Sequence, residues 1–398
     1  MLVLVLNAGS SSQKSCLYNL YSPLPSAAPK PLWEAHLDWT KSQNTGTLTV
    51  KSNNLKKKLE ITVKDTALSK LLETLVTGET QVLNSLKDID LVGHRVVHGG
   101  AKYSQPTLID AEVKNAIASL IPLAPNHNPA HLQGIETIEK LLPEIPQVAV
   151  FDTAFHSTIT ETAKVYPLPY EWYIKGIQRY GFHGTSHQYC SQRAAQILQK
   201  PLESLKVVTC HLGNGCSLAA ISGGICIDTT MGFSPLEGLM MGTRCGSIDP
   251  QILLYAMQEY GLKAKEINQI LNKESGLKGV SGISADLRII LQEKEIGNKR
   301  AILAFDIYIH YLKKAIASMI ASLNGIDVLV FTAGVGENSA IVREKTCEGL
   351  AYLGLQLDTR KNNAHPVDTN IATSDSPPIL VIQTQEDWAI AKFASKFI

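Results

Sequence analysis

Six short apolar runs, at residues 2–6, 90–97, 147–151, 206–210, 327–331 and 379–382, end in small, polar or charged side chains. A strand with one wet face alternates apolar and polar residues. These runs do not alternate, so each reads as a strand buried on both faces. Helical stretches lie between several of them. Residues 188–199 follow Ser186, whose hydroxyl could cap a first turn. Residues 300–323 place Ile316, Met319, Ile320 and Leu323 on one stripe at helical spacing, the pattern of a helix against a core. Strands alternating with helices predict an α/β fold with at least one largely parallel sheet. Residues 33–65 differ, with alternation in Thr47-Leu48-Thr49-Val50 and Leu59-Glu60-Ile61-Thr62-Val63 that predicts an antiparallel hairpin. Pro-rich residues 21–31 and 366–378 read as surface connections.

Two places look alike. A strand runs into Asn7-Ala8-Gly9-Ser10-Ser11-Ser12, and another into His211-Leu212-Gly213-Asn214-Gly215-Cys216-Ser217. Each turn is followed by a second strand-like run, which suggests two topologically similar halves. A length of 398 residues agrees with two or three domains. Charge is balanced, 37 Lys+Arg against 36 Asp+Glu, which argues against a nucleic-acid partner. The longest basic run, Lys56-Lys57-Lys58, reads as a solvated turn or strand end. No apolar stretch reaches the ~18 residues of a membrane helix. The first residues lack the basic segment of a signal peptide. Seven scattered cysteines without C-x-x-C fit neither a disulfide framework nor a zinc ribbon, and favour a reducing, cytoplasmic setting.

Phosphate groups need backbone N–H groups that come close, which favours Gly and Ser at a turn. Three loops qualify: 7–12, with Lys14 just beyond; 211–217; and Thr332-Ala333-Gly334-Val335-Gly336-Glu337-Asn338-Ser339. The P-loop, the dinucleotide fingerprint and the protein-kinase set are absent. Ser11-Ser12-Gln13-Lys14 matches S-x-x-K but follows a strand, whereas the acylating motif opens a helix. His183 and His187 are four apart, as are His127 and His131, a spacing that zinc ligands use. Neither pair has the glutamate of H-E-x-x-H.

The remaining polar residues sit at apolar strand ends. They are Arg95 in Gly93-His94-Arg95-Val96-Val97-His98-Gly99-Gly100, Asp152 in Phe151-Asp152-Thr153-Ala154-Phe155-His156, and Glu386-Asp387 after the last run. Arg244 lies in a loop dense with small residues, 241–250. Two arginines, two histidines, strand-end carboxylates, Asn7 and three Gly/Ser loops, without a nucleophile–base triad, are a kit for phosphoryl transfer. Its transition state is anionic and loose, so catalysis is positioning and charge neutralisation.

At these motifs the sequence resembles the acetate kinase family. The segments N-A-G-S-S-S-x-K, G-H-R-V-V-H-G-G, F-D-T-A-F-H, Y-G-F-H-G-T-S-H, H-L-G-N-G and G-x-G-E-N appear in the family's order, and a long block stands complete over residues 228–250. The resemblance implies two ribonuclease-H-like α/β domains with a nucleotide-binding cleft between them, residues 1–153 with 386–398 and residues 154–385. It implies Mg²⁺- or Mn²⁺-dependent in-line transfer of the ATP γ-phosphoryl to acetate, giving acetyl phosphate and ADP, in a cytoplasmic homodimer. Asn7 and Glu386 would hold the metal. Asp152, Arg95, His183 and Arg244 would be catalytic. Arg95, His127, Val97, Phe182 and Pro235 would bind acetate, the last three around its methyl group. Lys14, Ser10, Ser12, His211, Leu212, Gly213, Asn214, Gly215, Asp286, Leu287, Arg288, Gly334, Val335, Gly336, Glu337 and Asn338 would bind the nucleotide. Asn126 stands where the family usually has Leu, Gln13 where Leu is common, and Asp387 where a second Glu is frequent. Two alternatives stay open: a propionate or butyrate kinase, and a nucleotide-dependent binding protein of the same fold.

Overall fold

The computed structural model describes every residue except 10–11, 40–44, 53, 64–65 and 126. Its chain separates into two compact units, Met1–Ala154 with Gln385–Ile398, and Phe155–Thr384.

The first unit holds an eight-stranded sheet in the order β5-β4-β3-β2-β1-β6-β8-β7. Its strands are β1 (Leu2–Ala8), β2 (Ser12–Asn19), β3 (Trp33–Asp38), β4 (Gly46–Ser52), β5 (Leu55–Ile61), β6 (Leu91–Val96), β7 (Thr107–Leu108) and β8 (Gln147–Phe151). β1, β6 and β8 are parallel, and the rest join antiparallel. The hairpin expected in residues 33–65 is part of a longer meander. Three strands are present, and β3 pairs with β2, so the alternating stretch widens the main sheet. Lys56, Lys57 and Lys58 lie exposed on β5, the edge strand, where a row of charges discourages pairing with another chain.

The second unit holds a six-stranded sheet in the order β11-β10-β9-β12-β14-β13. Its strands are β9 (Lys206–Leu212), β10 (Cys216–Ser222), β11 (Ile225–Thr229), β12 (Val328–Thr332), β13 (Thr369–Asn370) and β14 (Ile379–Val381). The two sheets are wound alike. Each begins with three antiparallel strands in sequence order, continues with two parallel strands beside the first, and ends on a short strand placed antiparallel outside the last. The similar halves suspected from two Gly-rich turns are thus present as one topology used twice, with β4 and β5 added to the first.

β8, β12 and β14 are buried along their whole length, as expected of runs without alternation. The Lys299–Leu323 helix packs on β9, β10 and β11 with Ile316, Met319, Ile320 and Leu323 all buried. The Glu386–Ala394 helix lies against β1, β6 and β8. It approaches so closely that a Cβ at Gly93 on β6 would stand 2.9 Å from the Ile390 side chain. Ser186 is not a helix cap. The helix spans Gly184–Leu198, and His183, in the left-handed region at φ 58°, occupies the cap position. Residues 333–338, expected as a loop, form one more helix, Ala333–Asn338, directly after β12. The Pro-rich 366–378 stretch contains β13.

Trp388 is 1% exposed, and its ring centroid lies 5.6 Å from that of Tyr18. Trp388→Ala should cost about 3–5 kcal/mol through the cavity it leaves. The urea midpoint measures this, and a change below about 1 kcal/mol would refute the anchoring role of this helix.

Candidate functional site

Strand register builds the polar cluster of the first unit. Leu6 of β1 lies opposite His94 of β6, and Val96 of β6 opposite Phe151 of β8. Asn7, Arg95 and Asp152 therefore emerge side by side at three neighbouring strand ends. Open α/β sheets bind ligands at such ends. The Arg95 guanidinium donates from Nε to both carboxylate oxygens of Asp152, at 3.1 and 3.0 Å, and from Nη2 to Oδ2 at 2.7 Å. Its Nη1 donates to Asn7 Oδ1 at 3.1 Å. Asn7 Nδ2 in turn donates to Asp387 Oδ1 at 2.7 Å and faces Glu386 Oε2 at 3.5 Å. Asn7 has one acceptor and one amine, so it links the guanidinium to the carboxylates of the C-terminal helix.

Asp152 is 2% exposed and Arg95 16%. Burial works against the Arg95 charge, but Asp152 and Glu386 hold it firmly protonated. Burial likewise raises the Asp152 carboxyl, and Arg95 pulls against that rise. Burial also raises Asp387, opposed by the Asn7 hydrogen bond. Lys14 is exposed on β2, in register with Asn7. Ser12 opens β2, and its carbonyl accepts from Gly9 N at 2.7 Å to close the turn. Ser10 and Asn126 fall outside the described residues.

His127 precedes the Asn128–Leu141 helix, its ring 6.4 Å from that of His131. His131 itself is spent on backbone. Its Nδ1 accepts from Val97 N at 3.4 Å and its Nε2 meets Ala8 O at 3.0 Å, which ties the ends of β1 and β6 together. This leaves His131 no nitrogen for zinc. Its positioning part was missed in the sequence, where only the i,i+4 spacing was visible. Val97 is buried at 4% exposure.

In the second unit, β9 and β10 close a hairpin through Gly213, Asn214 and Gly215, with Gly213 N bonded to Gly215 O at 3.0 Å. Two other segments converge on this turn. A Cβ on Gly215 would collide with Arg244 Nη2 and sit 3.5 Å from His183 Cε1. Gly242 N donates to Asn214 O at 3.1 Å. Arg244 is fixed by its own bond, Nη1 to Pro235 O at 2.5 Å, and burial lowers its pKa. The His183 and His211 rings stack, centroids 4.1 Å apart and planes 18° apart. His211 Nδ1 pairs with Ser186 Oγ at 2.8 Å, and His183 Nδ1 with Ser217 Oγ at 2.8 Å. His187 meets Thr209 and Ser217 with its two nitrogens, so the second i,i+4 pair is also committed to hydrogen bonds. Leu212 and Phe182 are buried, and Pro235 is partly buried.

The remaining sequence candidates of this unit lie at two helix starts. Asp286 caps the Leu287–Glu295 helix through Arg288 N at 2.9 Å, and the exposed Arg288 side chain folds back on the same carboxylate at 2.6 Å. Arg288 holds the Asp286 carboxyl below its usual range. Leu287 is buried beneath. Ala333 takes φ 64° to turn the chain from β12 into the Ala333–Asn338 helix. Glu337 Oε1 accepts from Ala333 N and Thr384 N, each at 2.9 Å, and Asn338 Nδ2 donates to Gly334 O at 2.9 Å. Gly336 packs against β12, where a Cβ would be 3.3 Å from the Phe331 carbonyl carbon. Gly334 is exposed and Val335 partly buried.

Fold and side chains define a class first: a protein of two like-wound α/β units whose strand ends and glycine turns carry arginines, histidines and carboxylates, side chains suited to anionic ligands. The model of the acetokinase family matches residues 2–392. The chain is 61% identical over 396 residues to an acetate kinase of Rippkaea orientalis, covering 98% of each. It is 58% identical over 398 residues to an acetate kinase of Synechocystis sp., covering 98% of this chain and 96% of that one. Among solved structures it is similar to Porphyromonas gingivalis acetate kinase, with TM-score 0.90, 41% identity and 99% of each chain covered. It is equally similar to a propionate kinase of Francisella tularensis, with TM-score 0.91, 40% identity and 100% of each covered. The chain belongs to the acetokinase family.

Buried neutral histidines give the fold a pH dependence. Burial pushes His94, His98 and His156 down to about 4 and His131 to about 3. An unfolded histidine titrates near 6.5, so between that value and about 4 the unfolded chain binds more protons. Stability present above pH 6.5 is therefore lost as pH falls through this window, by roughly 3 kcal/mol per histidine at its end. The raised Asp152 and Asp387 carboxyls act in the opposite sense at the acid end. The thermal midpoint should fall from pH 7 to pH 5, and an unchanged midpoint would contradict the assignment.

Proposed function

We propose that the chain catalyses reversible transfer of the γ-phosphoryl group of ATP to acetate, giving acetyl phosphate and ADP. Membership of the acetokinase family, with curated acetate kinases at 61% and 58% identity over nearly the whole chain, carries this reading. An acetate oxygen attacks the γ-phosphorus, the new C–O–P linkage forms, the bond to the β-phosphate oxygen breaks, and no proton moves. A carboxylate is already a nucleophile, so no strong base is needed. The obstacle is repulsion between anions.

We assign Arg95 to the acetate carboxylate and the moving phosphoryl, because its fork can bind either bidentately. Asp152 holds that fork in place. His183 and Arg244 donate to phosphoryl oxygens, and Gly213, Asn214 and Gly215 give close backbone approach to nucleotide phosphates. Asp286, Leu287, Arg288 and residues 334–338 are assigned to the adenosine, Lys14 and Ser12 to phosphate, and His127 to the acyl phosphate. Val97, Phe182 and Pro235 are assigned to the methyl group.

The first unit's donor set suits magnesium. Three carboxylates, Asp152, Glu386 and Asp387, stand against two cations, Arg95 and Lys14, and Mg²⁺ asks for only one or two carboxylates with waters and phosphates. Among the described residues no group of three His, Cys, Asp or Glu is close enough to cage a metal by itself. Asn7 and Glu386 are the residues we assign; metal binding there would draw Asn7 Oδ1 away from Arg95 Nη1, while Asp387 stays bonded to Asn7 Nδ2 and Cys16. Bound magnesium would neutralise phosphate charge.

Asp152→Asn and Arg95→Ala should each lower kcat by about 10²–10³, measured as hydroxamate formed from acetate and ATP. Near-wild-type rates in either variant would refute these roles. The solved acetate kinase and propionate kinase are nearly equally similar to the chain, at 41% and 40% identity, so chain length needs its own measurement. A methylene is worth about 1–3 kcal/mol in such a pocket. kcat/KM should fall from acetate to propionate to butyrate, and Asn126→Leu should change the slope of that series. A butyrate preference would reverse the substrate assignment.

We also propose a homodimer in the cytoplasm. The Gln251–Glu259 helix buries no residue in its own unit and exposes Ile252, Leu254, Tyr255 and Met257, a surface that a second copy would cover. Sedimentation should give twice the monomer mass, and Leu254→Glu should shift it to monomer with an unchanged circular-dichroism spectrum. Monomeric wild type at micromolar concentration would exclude the dimer. Among the described residues all seven cysteines are free, in keeping with a reducing compartment, and no helix is long and apolar enough to cross a membrane.

A further inference from the structure

Four side chains of the second unit form an unbroken hydrogen-bonded line. Thr209 Oγ1 meets His187 Nδ1 at 2.7 Å, His187 Nε2 meets Ser217 Oγ at 2.8 Å, and Ser217 Oγ meets His183 Nδ1 at 2.8 Å. Thr209, His187 and Ser217 have no exposed surface, so they must satisfy one another.

The direction of the protons follows from the closed end. Among the described residues, His187 Nδ1 is the one hydrogen-bond partner of Thr209 Oγ1. A buried donor without an acceptor is costlier than an underused lone pair, so Thr209 gives its hydrogen to Nδ1. His187 is kept neutral by burial, which holds its pKa well below the ordinary value. Its one N–H is then on Nε2 and points at Ser217. Ser217 accepts there, and its remaining described partner is His183 Nδ1. The Ser217 hydrogen therefore goes to His183.

We propose that Ser217 is a positioning residue that fixes His183 as the neutral tautomer with its hydrogen on Nε2. His183 then offers a phosphoryl oxygen a donor, where the opposite tautomer would offer a repelling lone pair. A protonated His183 would turn Nδ1–H against Ser217 and leave the Ser217 hydrogen without an acceptor. The other titratable groups around the line are His211, stacked on His183, the Arg244 guanidinium at Gly215, and His156, edge-on to His187 at 5.6 Å. None is an anion, and none favours a charge on His183. The left-handed backbone at His183 sets where the ring starts, and the Ser217 bond sets which edge faces inward.

This inference rests on the phosphoryl-transfer reading for its purpose, but the tautomer can be tested apart from activity. The full chain, labelled with ¹⁵N-histidine, is examined at pH 7 by long-range ¹H–¹⁵N correlation, with His183 assigned from the resonance lost in His183→Gln. Wild type should show His183 Nδ1 as an unprotonated ring nitrogen and Nε2 as protonated. In Ser217→Ala the Nδ1–H form should appear, and kcat for acetyl phosphate formation should fall about tenfold with KM for acetate and ATP little changed. Ser217→Thr should restore tautomer and kcat. An Nδ1–H or imidazolium His183 in wild type overturns the proposal, as does a Ser217→Ala variant with unchanged tautomer and kcat. If Ser217→Ala does not fold, the wild-type spectrum alone decides. Wild type lacking acetate-dependent ADP release while showing the expected spectrum would remove the kinase reading and leave the tautomer assignment standing.

Discussion

The first unit depends on a buried ion pair whose geometry is set by sheet register. Arg95 and Asp152 end adjacent parallel strands, and neither could be buried alone. Removing one partner of such a pair typically costs about 3–5 kcal/mol, because the other charge stays behind without compensation. The pair is therefore poor value as a stabilising device. A hydrophobic pair would serve the core as well. The Arg95–Asp152 pair stands at the open end of a sheet, where α/β sheets take their ligands. Asn7 extends the pair to the Glu386–Ala394 helix, so a segment nearly 380 residues away in sequence shares in the same electrostatic balance.

The second unit solves a related problem with neutral groups. His183 and His211 stack, His183 and His187 are joined through the Ser217 hydroxyl, and Arg244 is the cation brought to the Gly215 turn. Charge on one of these rings would repel its neighbours and Arg244. The Ser217 hydroxyl between His187 and His183 orders the protons of that pair. Gly213 and Gly215 leave room for these rings and for the guanidinium, which is why the turn tolerates no side chain at Gly215.

Most of the fold was legible in the sequence, for a definite reason. A strand buried on both faces cannot alternate, so the six apolar runs marked the core strands within two residues of their observed ends. The Lys299–Leu323 helix announced itself through its apolar stripe. What failed was decided by tertiary contacts. Ser186 looked like a cap because it is a serine before a helical run, yet its hydroxyl is taken by His211 and the helix opens earlier on a left-handed histidine. Residues 333–338 looked like a loop because glycine is a poor helix former. They form a helix because Glu337 caps it at Ala333 and Gly336 lets it pack on β12. The strand-end residues could be named from sequence, but their linkage through Asn7 could not, since it depends on a register that only the assembled sheet fixes. His131, His187 and Ser217 carried no signal beyond spacing and composition.

Balanced net charge takes on a meaning from this arrangement. A sum of 37 positive and 36 negative residues says nothing about where they are. In the first unit carboxylates outnumber cations around Arg95, an environment that repels a bare anion and welcomes a divalent metal. In the second unit the Arg244 guanidinium and the His183 ring approach the Gly215 turn, an environment suited to anionic oxygens. An enzyme that joins two anions cannot rely on a uniformly positive surface, which would bind substrates and products alike and gain nothing in the transition state. A whole-chain charge near zero is compatible with an acidic cluster in one unit and a single arginine among histidines in the other.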